Sequence, residues 1–238
     1  MFRKILLFAM AAVISLSLLS CQKDNKPEES PENSPAASEK PPENIPVAVV
    51  NDTEIMLFDL FEMYQNLNRN YMQQGIDITD EETSNQILEE AVNTLIAYEL
   101  LYQNAVKEGY KISNDELNTE LDAFKSQFES EEEFLNSLEM QQTTLDEFKN
   151  ELERELTVSN YVQNTVEQPE VTEDEMLEMY EQYIKETTEE NPPEYEELKS
   201  RIEQKIRDNK FSQKVDELIE TLKDQSKVEI FREEMEKE

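Results

Sequence analysis

Ser or Thr, two residues, then Glu recurs ahead of apolar-patterned segments at Thr79/Glu82, Ser113/Glu116, Ser130/Glu133, Thr144/Glu147 and Thr172/Glu175. In such a box the hydroxyl accepts from a backbone N–H of the first turn, and the carboxylate accepts from the capping residue's own N–H. A helix start is thereby marked from both sides. Apolar residues follow each box at three- and four-residue spacing, which predicts amphipathic helices over about 81–108, 114–128, 131–140, 145–166 and 173–187. Two more are predicted without a box. One covers 57–74, with Leu57, Leu60, Phe61, Tyr64, Leu67 and Tyr71 on one face. The other covers about 194–225, with Tyr195, Leu198, Ile202, Ile206, Phe211, Val215, Leu218 and Leu222. The 81–108 segment is apolar beyond one stripe, since Ile96 and Leu101 join Ile87, Leu88, Ala91, Leu95, Tyr98, Tyr102 and Ala105, so it is expected to be the central helix. Gly109 suits the left-handed position that ends it.

Strand signals lie only at the two ends of this helical stretch. "VAVVNDTEI", Val47 to Ile55, is β-branched on both sides of Asn51-Asp52, a pair that tolerates a tight hairpin turn. "KVEIF", Lys227 to Phe231, alternates Val228 and Ile230 to one side and has no strand near it in sequence. Its expected partner is the hairpin, so both ends of the folded part should meet in one small sheet.

Ahead of the hairpin the chain reads differently. Arg3 and Lys4 precede about 15 apolar or small residues, too few for the roughly 20 that span a bilayer comfortably. This describes a secretory signal. Leu18-Leu19-Ser20-Cys21 resembles the bacterial lipobox, which implies cleavage before Cys21 and acylation of its thiol. The lone cysteine of the chain is then a lipid handle and not half of a disulfide. Residues 22–46 hold six of the nine prolines and almost no large apolar residue, a composition that stays disordered and would span about 25–30 Å as a tether.

Composition excludes several functions. The formal charge is −34, and residues 1–20 contribute only bases, so the mature part is more acidic still. Such a chain repels nucleic acid and anionic headgroups, leaving the membrane to the lipid. There is no His, no Trp and one Cys, which removes zinc sites of N/S type and His-dependent nucleophiles. The two glycines, Gly75 and Gly109, cannot form a phosphate loop. "GIDITDEE", from Gly75, lacks the spacing of a calcium loop. Acidic runs such as Glu131-Glu132-Glu133 read as solvated helix faces, with no carboxylate pair set apart for acid–base chemistry. No catalytic residue, metal or cofactor is expected.

The order of elements resembles a known group. "VAVVNDTEI", then "ILEEAVNTLIAYELLYQNAVKEGYKISNDELNTELDAFKSQF", then "TTLDEFKNELERELTVSNYV" is similar to the N-terminal module of the SurA/PrsA extracytoplasmic chaperones. "VTEDEMLEMYEQY" resembles the helix before the parvulin isomerase domain of that group, and the segment from Glu194 to Phe231 resembles the helix and strand after it. Two features depart from the pattern. Asp52 stands where the group usually has Gly, and residues 184–194 occupy the place of a parvulin domain of about a hundred residues. The resemblance implies a mainly α fold, a SurA-N/trigger-factor-C-like helical module whose small sheet joins the hairpin to the C-terminal strand. It implies a chaperone scaffold without its isomerase.

The expected organisation is a signal peptide over 1–20, lipidated Cys21 and tether over 21–46, and the SurA-N-like domain over 47–168. A linker helix, long helix and closing strand over 169–231 complete the same domain, and 232–238 form an acidic tail. The expected function is membrane-anchored, ATP-independent binding of unfolded secreted or outer-membrane protein segments. An adaptor gripping one folded envelope partner is the alternative, and an isomerase with an unrecognised site is a third reading. The anchor implies the periplasmic face of an outer membrane in a diderm host, and otherwise the outer face of the cytoplasmic membrane. Adaptable side chains suit client binding, and the candidates are Met63, Tyr71, Met72, Met140, Met176, Met179 and Tyr183, with Tyr64 and Tyr180 divided between that role and ordinary packing. The oligomeric state is left open.

Overall fold

The computed structural model describes residues 44–141, 143–189 and 191–235. The signal peptide, Cys21, the tether as far as residue 43 and the last three residues of the acidic tail lie outside the described residues.

Three strands form one antiparallel sheet: β1 (Pro46–Val50), β2 (Thr53–Met56) and β3 (Val228–Ile230), in the order β2-β1-β3. Val50 faces Thr53 across the turn, and Ala48, Val49 and Val50 face Ile230, Glu229 and Val228. The expected closure of the two chain ends is therefore present, with β1 central because it alone is apolar on both faces. Asn51 has φ 56°, the left-handed region, and Asp52 needs no positive φ, so no Gly is required at position 52.

Asn51 also ties three elements together. Its N–H donates to Lys227 O at 2.7 Å, and its Oδ1 accepts from Lys227 N at 3.0 Å. Its Nδ2 donates to Gln103 Oε1 at 2.6 Å. Asn51→Gly should lose the side-chain bonds and keep the backbone, whereas Asn51→Ala should lose both and be the less stable by about 1 kcal/mol. Chemical denaturation of the two variants beside the parent chain checks that order.

Eight helices follow among the described residues: α1 (Leu57–Gln73), α2 (Glu81–Lys107), α3 (Asn114–Lys125), α4 (Glu131–Met140), α5 (Leu145–Thr165), α6 (Glu173–Glu186), α7 (Tyr195–Asp224) and α8 (Arg232–Met235). The boxes at Ser113, Thr144 and Thr172 form as the sequence predicts. At Ser130 only half forms, since the Glu133 carboxylate accepts from Glu129 N at 2.8 Å. The Thr79 box does not form. Asp80 caps α2 by accepting from Thr83 N at 2.9 Å, and Thr79 instead donates to Asp77. An ionised carboxylate one residue nearer the helix is the stronger acceptor for its orphan N–H groups. α1 has no capping side chain at Met56. The chain just ahead of β1 supplies the acceptors, Ile45 O for Leu57 N at 2.8 Å and Asn44 Oδ1 for Phe58 N at 3.2 Å. α8 adds a helical turn where only an acidic tail is expected.

The apolar residues divide into three clusters. The platform gathers β1, Ile55, Leu60, the length of α2, Val158 to Val166, and Val215 to Leu222. α2 is its centre and packs on α1, α5, α7 and β1. A second cluster forms an arm, in which Leu121, Phe134, Leu138, Phe148 and Leu152 join α3 and α4 to the first half of α5. In the third, Met176, Ile202 and Ile206 pack α6 on the first half of α7. The 21-residue α5 and the 30-residue α7 thus each serve two clusters. Only residues 187–194 connect α6 to α7, and Tyr180 Oη donates across that link to Pro193 O at 3.0 Å. Lys210 and the Thr172 N–H hold the Glu175 carboxyl down to about 2, fixing the start of α6 against α7. Phe61 departs from its expected core position. It sits at the margin of the α1 stripe and is 49% exposed, while Leu60 is fully buried.

Candidate functional site

Where α2 passes under the sheet, its neighbours do not close over it. β2 and the first half of α1 rise on one side, and α5 and the last turns of α7 rise on the other. The gap is a cleft of about 1050 Å³. Its floor is apolar: Leu95, Ala97 and Tyr98 are half-buried there over the buried Ile55, Ile96, Leu100, Leu101 and Val158, with Met63 and Ile219 on the walls. Its lining is acidic, with nine carboxylates against two bases, Arg154 and Lys223, and of the nine only Glu99 and Glu155 are buried.

A polar network crosses one end. Arg154 donates to Glu99 Oε2 at 2.7 Å, and Glu99 is buried. Gln103 donates to Glu99 Oε1 at 2.7 Å and to Val50 O at 3.1 Å. Through Gln103 and Asn51 the network reaches the hairpin turn. The Arg154 guanidinium lies 3.8 Å from the centre of the Tyr102 ring, so its face is stacked and its edge is bonded. One cation thereby holds α5 to α2.

The other carboxylates are less well served. Burial, and then the neighbouring Glu151, push Glu155 up to about 7. Glu62 is raised by burial and by Asp59, and Asp216 by burial and by Glu220. Tyr98 Oη, which donates to Glu151 Oε1 at 3.2 Å, is raised by burial first and by that carboxylate second. All four rises share one cause, a partly dry and like-charged cleft. Because the folded state binds a proton at Glu155 more tightly than the unfolded chain does, stability from this group is complete below about pH 4. It falls away as the pH rises through 7. Glu155→Gln should therefore raise stability by roughly 2–3 kcal/mol at pH 8 and by much less at pH 5. Melting curves of variant and parent chain at the two pH values test this.

The residues expected to bind clients do not share a surface. Met63 lines the cleft. Tyr71, at the far end of α1, donates to Glu90 Oε2 at 2.6 Å, and Tyr64 shares a 2.7 Å hydrogen bond with Ser84. Met72 and Met140 are exposed at the ends of α1 and α4. Met179 and Tyr180 pack against the third cluster, and the Tyr183 ring lies 6.4 Å from that of Tyr180. Met176 offers no free surface: the packing of α6 on α7 leaves it 6% exposed, so it belongs to a core. The residues that shape the cleft, Glu99, Arg154, Glu155 and Asp216, are absent from the sequence-based set. One signal was present, in "LIAYELLYQ", where Glu99 is the single charge in an apolar run. Among the described residues, no group of three or more acidic or cysteine side chains could hold a metal ion, and no helix is long and apolar enough to cross a membrane.

A family model, that of the SurA-like N-terminal domain, matches residues 4–162. The match takes in β1, β2, α1 to α4 and nearly all of α5. It leaves out α6, α7 and β3, although α7 walls the cleft and β3 completes the sheet. No curated protein matches the chain.

Proposed function

The chain belongs to the SurA-like N-terminal domain family, and on that premise we propose that it is an extracytoplasmic, ATP-independent chaperone that holds unfolded segments of envelope proteins in the cleft between α2 and its flanking helices. The observation that carries this reading is the pairing of an apolar floor with an open, charged rim. The half-buried apolar side chains of the lining, Met63, Leu95, Tyr98 and Ile219, accept the apolar residues of an extended segment, and a solvated rim keeps the loaded complex soluble. Holding requires no bond to be made or broken, so no catalytic residue is assigned and no isomerase activity is expected. Acylated Cys21 would anchor the body to the membrane, on the periplasmic face of an outer membrane in a diderm host or otherwise on the outer face of the cytoplasmic membrane.

The test is light scattering from a chemically unfolded secretory protein diluted into buffer with and without the full chain. Equimolar chain should delay and reduce scattering without ATP. Unchanged scattering, set beside an acidic control protein of equal charge, overturns the reading.

A further inference from the structure

Among the described residues, five carboxylates of the cleft, those of Glu54, Glu62, Glu155, Asp216 and Glu220, have no hydrogen-bond or ion-pair partner, and of these only Glu155 is buried. Glu155 is 8% exposed, lines the cleft and makes no hydrogen bond or ion pair with any described residue. The base next to it in sequence is committed, since Arg154 is bonded to Glu99 at 2.7 Å and stacked on Tyr102. Lys223, on α7, forms no ion pair with it. A buried acid with neither counter-charge nor donor is costly, and the cost is relieved when a cation enters and bonds to it.

Resting on the chaperone reading, we propose that the cleft selects extended segments in which a lysine or arginine is flanked by apolar residues, and that Glu155 receives the cation. The cleft takes the flanking apolar side chains, as Met63, Leu95, Tyr98 and Ile219 line the same space and are only half-buried. The charges around that space are of one sign but for the two bases: Glu54 on β2, Asp59 and Glu62 on α1, Glu90 and Glu99 on α2, Glu151 on α5, and Asp216 and Glu220 on α7. Together they raise the local concentration of cationic segments. Only Glu155 combines nine-tenths burial with an unfilled bonding capacity, so it supplies the discrimination that the rim alone lacks. An acidic segment would meet both the rim repulsion and an uncompensated buried acid.

The experiment measures fluorescence anisotropy of labelled ten-residue peptides of leucine and serine, identical except for a central lysine, glutamine or glutamate, titrated with the full chain at pH 8. The lysine peptide should bind about tenfold more tightly than the glutamine peptide, and the glutamate peptide more weakly still. Glu155→Gln should remove the preference for lysine over glutamine. Glu132→Gln, an exposed change on α4 outside the cleft, should leave the preference intact. Equal binding of lysine and glutamine peptides by the parent chain overturns the proposal. So does a preference that survives Glu155→Gln, or one that Glu132→Gln reduces as much, which would assign it to overall charge. If the parent chain still suppresses aggregation in those cases, the holding function stands and only the selection falls. If it neither binds peptide nor suppresses aggregation, both fall.

Discussion

Phe134→Ala unfolds the arm and leaves the platform standing. Phe134 is fully buried at the centre of the second cluster, with the rings of Phe124, Phe128 and Phe148 at 6.1, 5.4 and 5.5 Å. Truncating such a residue costs about 3–5 kcal/mol, through lost burial and the cavity left behind. The arm has little else to hold it. α3 and α4 pack on α5, and none of the second cluster's residues belongs to the platform. The loss therefore falls on one cooperative unit rather than on the whole chain. Hydrogen exchange should show amides in 114–140 losing protection while those of β1 and of α2 from Val92 to Leu101 keep theirs. Equal loss in both regions would mean that arm and platform fold as one unit.

Arg154→Ala has the second large effect, because it strands Glu99 in the floor of the cleft. Removing one member of a buried ion pair costs about 3–5 kcal/mol. Arg154 is 31% exposed, so about 2–4 kcal/mol is expected, including the lost stack on Tyr102. Arg154→Lys keeps the charge but not the planar fork, and should recover only part of the loss. The double change Glu99→Gln with Arg154→Met removes both charges and should recover most of it, since the penalty lies in the unpaired acid. Urea denaturation of the three variants measures this. A double variant less stable than Arg154→Ala would show that the pair is held by more than mutual neutralisation.

The two effects belong to parts of the molecule that differ in how well the sequence reveals them. Phe134 sits in a stripe announced by a cap at Ser130, and its burial follows from helical spacing alone. Glu99 and Glu155 carry no such mark. In a chain with 56 acidic residues, an acid facing another helix looks the same in sequence as an acid facing water. The client-binding residues expected from side-chain adaptability suffered similarly, since Met176 and Met63 have the same chemistry and opposite placements, one within a core and one on a cleft wall.

Local rules thus determined most of the helix boundaries, the hairpin at Asn51-Asp52 and the strand at Val228–Ile230. Caps, periodicity and turn preferences act over a few residues and need no distant partner. The closure of the sheet was also legible, because one short strand without a neighbour has only one apolar strand pair to join. Tertiary structure alone decided that Asn44 and Ile45 would cap α1, that α5 and α7 would each be shared between two clusters, and that a buried acid would be left facing an open cleft. Those outcomes depend on how helices cross, and crossing is set by the summed packing of surfaces far apart in sequence.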